Sequence, residues 1–318
     1  MKTWGDALAA LRAAIADRDW DRGERILETM QESAERSAEP SQLASLAFQR
    51  GLFEDARGAL AAAEAAFSEA VSWDLRAAGE DSHAVADALR SLGIVRARAK
   101  KTDLAVTTFE QASRAYVAQR SSDAIETMWR AGRALEDAGR FDDAIARYTR
   151  AEGLLPDIDT PAFRTERLWA LFGHGECLRR TKQYAASRER SVRATWLATP
   201  PRTPALELAL ANAWFAIATY ARHVLRDEVQ VGIALAAART ICPDPRVRDK
   251  VKQELAGASA PERIEGWVVL ALHPEQGGAE VVNVEAGLRL AKGRTEGLTQ
   301  GRRVEVALDA SGYRLVAP

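Results

Sequence analysis

The chain has 318 residues, of which 47% are hydrophobic and 28% are charged, which is enough apolar content for one extended array or two domains. Forty-four basic and forty-five acidic residues give a net charge of −1, which excludes an overall field that would attract nucleic acid or an anionic membrane. Two cysteines far apart in sequence exclude a disulfide framework, and no run of eighteen apolar residues predicts a membrane span, so we expect a cytoplasmic protein.

A spacing of small and apolar residues recurs along the first 243 residues. Its clearest copies are Gly132, Ala144, Tyr148, Ala151 and Pro156, and, for the first four positions, Gly93, Ala105, Phe109 and Ala112. We call the first residue of each copy its anchor; weaker copies have the anchors Leu11, Gly51, Gly175 and Thr219. Successive anchors lie 39 to 44 residues apart, and a period of about 20 to 50 residues is the signature of a repeat array. The sequence therefore predicts an all-α solenoid of about six helix pairs.

This frame resembles the tetratricopeptide repeat, in which a small residue lets two antiparallel helices cross closely. The copies are longer than the usual repeat of about 34 residues, by roughly one turn per helix. Long units of this kind are similar to those of kinesin light chains, Pins-type polarity adaptors and bacterial Rap proteins, which bind peptides or proteins. The resemblance implies a binding adaptor or scaffold and no enzyme.

Turn and capping residues fall where the repeat frame needs helix ends. Gly58 and Gly139 lie seven residues after their anchors, where the first helix of a pair must end in a left-handed turn, whereas Lys100 and Lys182 are less suited to the same place. The pairs Thr160-Pro161 and Thr203-Pro204 predict capped helix starts. Asp123 and Glu126 predict a variant of the capping box.

A last helix is predicted after the sixth pair. It begins at Asp244-Pro245 and has Val247, Val251 and Leu255 on one face, so its apolar side would cover the open end of the stack. This cap makes self-assembly through open repeat ends a weaker third interpretation. The solenoid with its cap is predicted over residues 1–257.

Beyond residue 261 the hydrophobic period changes from helical to two, which predicts a second, all-β domain over residues 262–318. Five short strands are predicted, at residues 264–272, 279–284, 287–291, 302–308 and 313–316. So many short strands in so short a segment favour a small barrel. The segment Gly297 to Val306 resembles the fourth-strand entry of cold-shock and other OB-type barrels.

An OB-type barrel could contact RNA or single-stranded DNA, and this is the alternative function. Such barrels stack bases on aromatic side chains beside a basic groove. Residues 262–318 contain seven Lys or Arg against eight Asp or Glu, and only Trp267 and Tyr313 are stacking candidates. A nucleic-acid partner is therefore less favoured than a protein contact or a structural role.

Catalytic and metal-binding patterns have little support in this sequence. None of the four histidines lies in a zincin, triad or phosphate-loop pattern. His174 and Cys177 are three residues apart, but two ligands do not make a metal site, and a packed core histidine is the preferred interpretation. We expect no catalytic residue, no cofactor and no metal.

The resemblance also implies which residues would bind a ligand. In tetratricopeptide proteins the first helix of each pair lines a concave groove, mainly through residues three before and one, four and five after the crossing residue. We call these positions the first-helix face. On this sequence they include Arg90, Arg98, Trp129, Arg133, Glu136, Phe172, Glu176, Arg179, Arg180 and Tyr220. Aromatic and arginine side chains are typical of binding hot spots, although Trp129 and Phe172 could instead pack between adjacent first helices.

Overall fold

The structure is a computed structural model that describes residues 3–198, 202–246, 248–249, 253, 264, 266–284, 286–293, 295–309 and 312–316. The chain divides into two compact units, residues 1–159 and 160–318. The first unit contains eight helices, which form four antiparallel pairs: α1 (Trp4–Asp17), α2 (Trp20–Ser37), α3 (Pro40–Ala56), α4 (Leu60–Ala78), α5 (His83–Arg98), α6 (Thr102–Ala118), α7 (Asp123–Asp137) and α8 (Phe141–Gly153).

The crossings inside these pairs explain the small residues of the repeat frame. A methyl group added at Gly51 would lie 2.6 Å from the ring of Phe67 on the second helix, and one added at Gly93 would lie 2.7 Å from the ring of Phe109. Real Cβ contacts are essentially never that short, so only glycine lets the aromatic ring reach the backbone of the first helix. The predicted frame is therefore confirmed as a packing rule.

The left-handed turn predicted seven residues after each anchor occurs in all six pairs. The residues there have φ between 55° and 82°: Arg18, Gly58, Lys100, Gly139, Lys182 and Arg226. Four of them carry side chains that disfavour this conformation by about 1–2 kcal/mol. The repeat geometry therefore imposes the turn even where the residue resists it.

The second unit contains two further helix pairs and all of the described strands. Its helices are α9 (Pro161–Arg180), α10 (Tyr184–Leu197), α11 (Pro204–Tyr220) and α12 (Glu228–Ile241), with a π-helical turn at Ala221–Leu225. Its strands are β1 (Trp267–His273), β2 (Gly278–Asn283), β3 (Gly287–Lys292), β4 (Arg303–Val304), β5 (Val306–Asp309) and β6 (Gly312–Leu315). None of the described helices is both long and apolar enough to cross a membrane.

The strands form one sheet in the order β4-β1-β2-β3-β6-β5, in which β3 and β6 are parallel and the other pairs antiparallel. Its two outermost strands, β4 and β5, are separated only by Glu305. One stretch of chain therefore supplies both edges, and the sheet is a nearly closed barrel. The predicted fourth strand is thus divided into two short strands.

The nearly closed sheet shares a hydrophobic core with the helices of its own unit. Val268, Val282 and Leu288 on its outer face are buried together with Trp214 and Ile233 of α11 and α12. The opposite face of the sheet has its own core, which includes Val269, Ala279, Val281, Ala291 and Leu315. Strands β1 to β3 are therefore buried on both sides, as happens where helices cover a sheet.

Polar contacts fix this packing at several points along α10. The hydroxyl of Thr195 accepts a hydrogen bond from the backbone N–H of Leu288 at 3.1 Å, and the indole N–H of Trp196 donates to the carbonyl of the same residue. Gly287, with φ of 79°, approaches so closely that an added methyl group would lie 2.5 Å from the carbonyl oxygen of Thr195. The backbone of β3 is therefore in direct contact with α10.

Two predicted helix caps are wrong. Thr160 precedes α9 but its side chain makes no capping hydrogen bond, whereas Thr203 caps α11 as predicted. Asp123 is already the first residue of α7, and its carboxylate accepts hydrogen bonds from Ser121 and Arg90. These ion-pair and loop contacts compete with capping for the same oxygens.

Two predictions fall on residues that are not described. The apolar residues of the predicted capping helix, Val247, Val251 and Leu255, lie outside the described part of the chain. The predicted domain boundary between residues 257 and 262 also lies there.

Candidate functional site

The first unit places five of the predicted binding residues on α5 and α7, and they differ in what they contact. Arg90 forms ion pairs with three carboxylates. Its guanidinium lies 3.2 Å from Asp87, 3.4 Å from Asp123 and 3.1 Å from Glu126. All four side chains are partly buried, and the network joins two neighbouring first helices.

Tyr116 of α6 completes the network, because its hydroxyl donates a hydrogen bond to Asp87. Burial, followed by the hydrogen bond to that carboxylate, raises the pKa of Tyr116 far above its ordinary value. The phenol therefore stays protonated as a donor. Removing Arg90 would leave Asp87 and Asp123 without this cation and would take from Glu126 one of its two arginine partners, so it would weaken the contact between α5 and α7.

Arg98 and Arg133 are also paired but are much more exposed. The Arg98 side chain is 48% exposed and pairs with Asp55 of α3. The Arg133 side chain is 60% exposed and lies 3.2 Å from Asp137 on its own helix. Ion pairs at such exposure stabilise a fold by only about 0–1 kcal/mol, so either arginine can exchange its partner for another carboxylate at little cost.

Trp129 and Glu136 have contrasting environments on α7. Trp129 is half-buried, and the guanidinium of Arg130 lies 4.8 Å from the centre of its ring. Glu136 is buried, and it accepts a hydrogen bond of 2.9 Å from the hydroxyl of Tyr148 on α8. Glu136 therefore belongs to the packing of its own helix pair and does not line an open surface.

The second unit places the other five predicted residues on α9 and α11. Phe172 is half-buried and packs edge-to-face against Trp169, with ring centres 5.9 Å apart. Glu176 accepts hydrogen bonds of 2.7–2.8 Å from both Arg179 and Arg180. Partial burial alone would raise the pKa of Glu176, but the hydrogen bonds and charges of the two arginines outweigh it and lower the pKa below its ordinary value.

Tyr220 is linked to the sheet through one arginine. The guanidinium of Arg188 lies 5.4 Å from the centre of the Tyr220 ring, and its Nη2 atom lies 2.6 and 2.7 Å from the two carboxylate oxygens of Glu280 on β2. Both charged side chains are mostly buried. Arg188 therefore connects Tyr220 to the Glu280 side chain of the sheet.

The acidic partners of the arginines were missed by the sequence interpretation. Asp87 lies six residues before the anchor Gly93 and three before Arg90, which puts these two side chains on the same face of α5. Their spacing was therefore the available signal. The arginines lie on the predicted helices, but in the folded structure each of them already pairs with a carboxylate.

The residues considered for metal binding serve the core instead. His174 is buried, as predicted, and its Nδ1 atom lies 3.3 Å from Nε of Arg190. Cys177 is buried as well. Across the described part of the chain, no three His, Cys, Asp or Glu side chains are grouped so that they could hold a metal ion.

Comparison with known proteins places the fold but not a family. No protein-family model matches this sequence, and no curated protein does. The apo form of RapI matches with a TM-score of 0.59 and 13% identity, over 80% of this chain and 70% of its own. A putative kinesin light chain of Podosopora anserina with TPR-like repeats matches with a TM-score of 0.51 and 14% identity, over 62% and 97%.

The apo form of NprR, a quorum sensor of B. thuringiensis, matches with a TM-score of 0.53 and 13% identity, over 78% of this chain and 68% of its own. Identities this low show likeness of fold alone. The predicted resemblance to long tetratricopeptide-type repeats is confirmed at that level, and the helix pairs form a TPR-like repeat array.

Proposed function

We propose that this protein is a non-enzymatic cytoplasmic adaptor that binds a protein or peptide ligand through its first-helix face. The observation that supports this most is that the half-buried Trp129 and the exposed Arg133 lie four residues apart on α7. An aromatic ring beside an exchangeable guanidinium is the residue combination enriched at binding hot spots. The TPR-like fold, shared with light chains and with a quorum sensor, adds support by analogy.

The contacts divide the predicted residues by role. Arg98 and Arg133 are the groups that would pair with a ligand carboxylate, since both arginine side chains are exposed. Arg90 would hold α5 and α7 in place, since its partly buried network spans both helices. Glu136 would support the helix pair through Tyr148.

The chemistry of the ligand follows from Trp129 and the two exposed arginines, which are the groups that would contact it. Trp129 offers an apolar surface, and each exposed arginine must exchange one carboxylate for another. The net gain from such an exchange is small, so most of the affinity would come from burying an apolar or aromatic ligand side chain. We therefore expect an acidic peptide with at least one large apolar residue.

In the second unit, Phe172 and Tyr220 are the corresponding apolar contacts, with Arg179 and Arg180 beside them. These two arginines share Glu176, so one of them can turn to a ligand while the other keeps the carboxylate neutralised. Arg188 ties Tyr220 to the sheet.

The nearly closed sheet would be a second contact in this proposal. Its strand order, with one stretch of chain at both edges and β3 parallel to β6, supports the OB-type interpretation of this segment. OB-type barrels bind nucleic acids with the face of their second and third strands and the adjoining loops.

That arrangement gives the nucleic-acid alternative less support. Val282 and Leu288, on the outer face of β2 and β3, are buried in the core shared with the helices. The surface that would receive bases is thus occupied. We therefore keep protein binding as the first candidate.

Capture of partners from native lysate, with and without nuclease, tests the proposal. We expect a nuclease-resistant protein partner that is lost with the double variant Trp129→Ala/Arg133→Ala. The matched control is Trp73→Ala/Arg76→Ala, because Arg76 stacks 4.8 Å from the Trp73 ring on the second helix α4. Equal loss with both pairs, or loss of all partners on nuclease treatment, would contradict the proposal.

A further inference from the structure

A cleft of about 470 Å³ lies on the second-helix side of the first unit, away from the first-helix face. It lies between α4 and α6, above the first turns of α5. Its volume is within the range of about 300–1,000 Å³ that is typical of ligand pockets.

The inner surface of the cleft is apolar. It is formed by Val71 and Leu75 of α4, Val85 and Leu89 of α5, and Ala115 of α6. Leu75 is 41% exposed although it belongs to this apolar lining. An aliphatic side chain left open beside buried neighbours gains free energy when a ligand covers it, in proportion to the apolar area removed from water.

The rim of the cleft carries two acidic side chains on one side and a basic side chain on the other. Glu80 and Asp81 lie on the loop between α4 and α5, and Arg114 lies on α6. Among the described residues, the side chains of these three form no ion pair or hydrogen bond. They differ in this respect from the arginines of the first-helix face, which are all paired.

The acidic loop is held in a fixed position. Gly79 begins it with φ of 82°, and Ser82 ends it by capping α5 through the N–H of Val85. The side-chain amide of Gln119, the residue after α6, donates a hydrogen bond of 2.9 Å to the carbonyl of Asp81. The loop backbone therefore keeps Glu80 and Asp81 at one mouth of the cleft before a ligand binds, which reduces the entropy cost of binding.

We propose that this cleft binds a peptide of a partner protein that carries a large apolar side chain next to a lysine or arginine. The apolar side chain enters between Leu75 and Leu89, and the neighbouring cation pairs with Glu80 and Asp81. Arg114, on the other side, donates to a backbone carbonyl of the same peptide. The proposal is based on charge complementarity: an apolar cleft with two unpaired carboxylates at one mouth favours a cationic, apolar ligand.

This inference goes beyond the proposed function, because the cleft uses none of the residues of the first-helix face and takes a ligand of the opposite charge. The two sites would let one chain hold two segments at once. Linked segments bind more tightly together than either does alone.

A random heptapeptide phage library selected on the full chain tests the cleft. We expect the selected peptides to include a family with a cation beside a leucine or an aromatic residue. The affinity of a labelled peptide from that family, measured by fluorescence anisotropy, should fall at least about tenfold with Asp81→Lys, which turns attraction into like-charge repulsion. Leu75→Ser should also weaken it, and both positions are exposed enough that the fold is kept.

The controls separate this inference from the proposed function. Glu28→Lys makes the same charge change on the exposed surface of α2 and should alter the affinity less than about twofold. Trp129→Ala/Arg133→Ala should leave this peptide family unaffected. Peptides that are lost with Trp129→Ala/Arg133→Ala but not with Asp81→Lys would overturn the cleft and leave the proposed function standing. Selection of no cationic, apolar family would also overturn it.

Discussion

In the first unit Gly93 meets the ring of Phe109, whereas in the second unit Gly175 meets the hydroxyl of Ser191 and Thr219 replaces glycine at the other crossing. The second unit compensates with a core that joins α9 to α12 and the sheet. A helix pair can therefore lack the glycine and aromatic residue at its crossing where a neighbouring element, here the sheet, packs against it. It also predicts that the two units respond differently to matched substitutions.

The largest effect should come from the joint core of the second unit. Val282→Asp places a charge among buried aliphatic side chains, and we expect it to lower the free energy of unfolding by about 3–5 kcal/mol. Urea unfolding followed by circular dichroism measures this. Leu290→Asp on the adjacent strand is the control, because Leu290 is 40% exposed. Similar losses from both variants would show that the sheet does not share a core with the helices.

The next effect tests the crossings directly. Gly93→Ala puts a methyl group 2.7 Å from the Phe109 ring, while the nearest atom to the added methyl group in Gly175→Ala is the hydroxyl oxygen of Ser191, at 3.4 Å. We expect Gly93→Ala to destabilise by about 1–3 kcal/mol through overpacking. Gly175→Ala should stay within about 0.5 kcal/mol of the wild type, since the gain in helix propensity offsets the closer contact. Equal melting temperatures for the two variants would contradict the difference in packing between the crossings of the two units.

A smaller effect concerns the left-handed turns that both units share. Lys100 and Lys182 adopt φ near 61°, so Lys100→Gly and Lys182→Gly should each raise the free energy of unfolding by about 0.5–1 kcal/mol. The reverse change, Gly139→Lys, should lower it by a similar amount. Thermal unfolding of the three variants checks this, and a lower melting temperature for both glycine variants would contradict it.

The smallest effect is a pH dependence within the first unit. Burial, and secondarily the nearby Asp87, raises the pKa of Asp74 on α4. A raised pKa means that the stabilising contribution of this carboxyl is complete below its unfolded pKa and is lost as pH rises through its folded pKa. Asp74→Asn should therefore gain stability relative to the wild type as the pH rises from acid to neutral. A stability difference that does not change with pH would contradict this.

The repeat frame could be predicted from sequence because its determinants recur at a fixed spacing. The left-handed turns at Lys100 and Lys182 show that the frame is stronger than residue preference, since the turn forms without glycine. The partners of Arg90 were harder to predict, because Asp123 and Glu126 belong to the next pair and their distance depends on how the helices stack. Side-chain pairing between repeats is a tertiary property that a periodic pattern does not encode.

The docking of the sheet on the helices was also missed, although a signal was present. The run from Trp267 to Leu272 is continuously apolar, and a strand with one solvated face would alternate instead. The predicted alternation described only one side of β1. The predicted apolar side, with Val268 and Leu270, is the one that packs with α11 and α12, and the second apolar side, with Val269, lies in the core on the opposite face of the sheet.

Hydrogen exchange of the full chain, with and without a captured partner, tests binding through the first-helix face most directly. The account predicts slower exchange in α5 and α7, around Arg98, Trp129 and Arg133, with little change in β4 to β6. Slower exchange confined to the strands, with α5 and α7 unchanged, would contradict it and would favour a ligand held by the sheet.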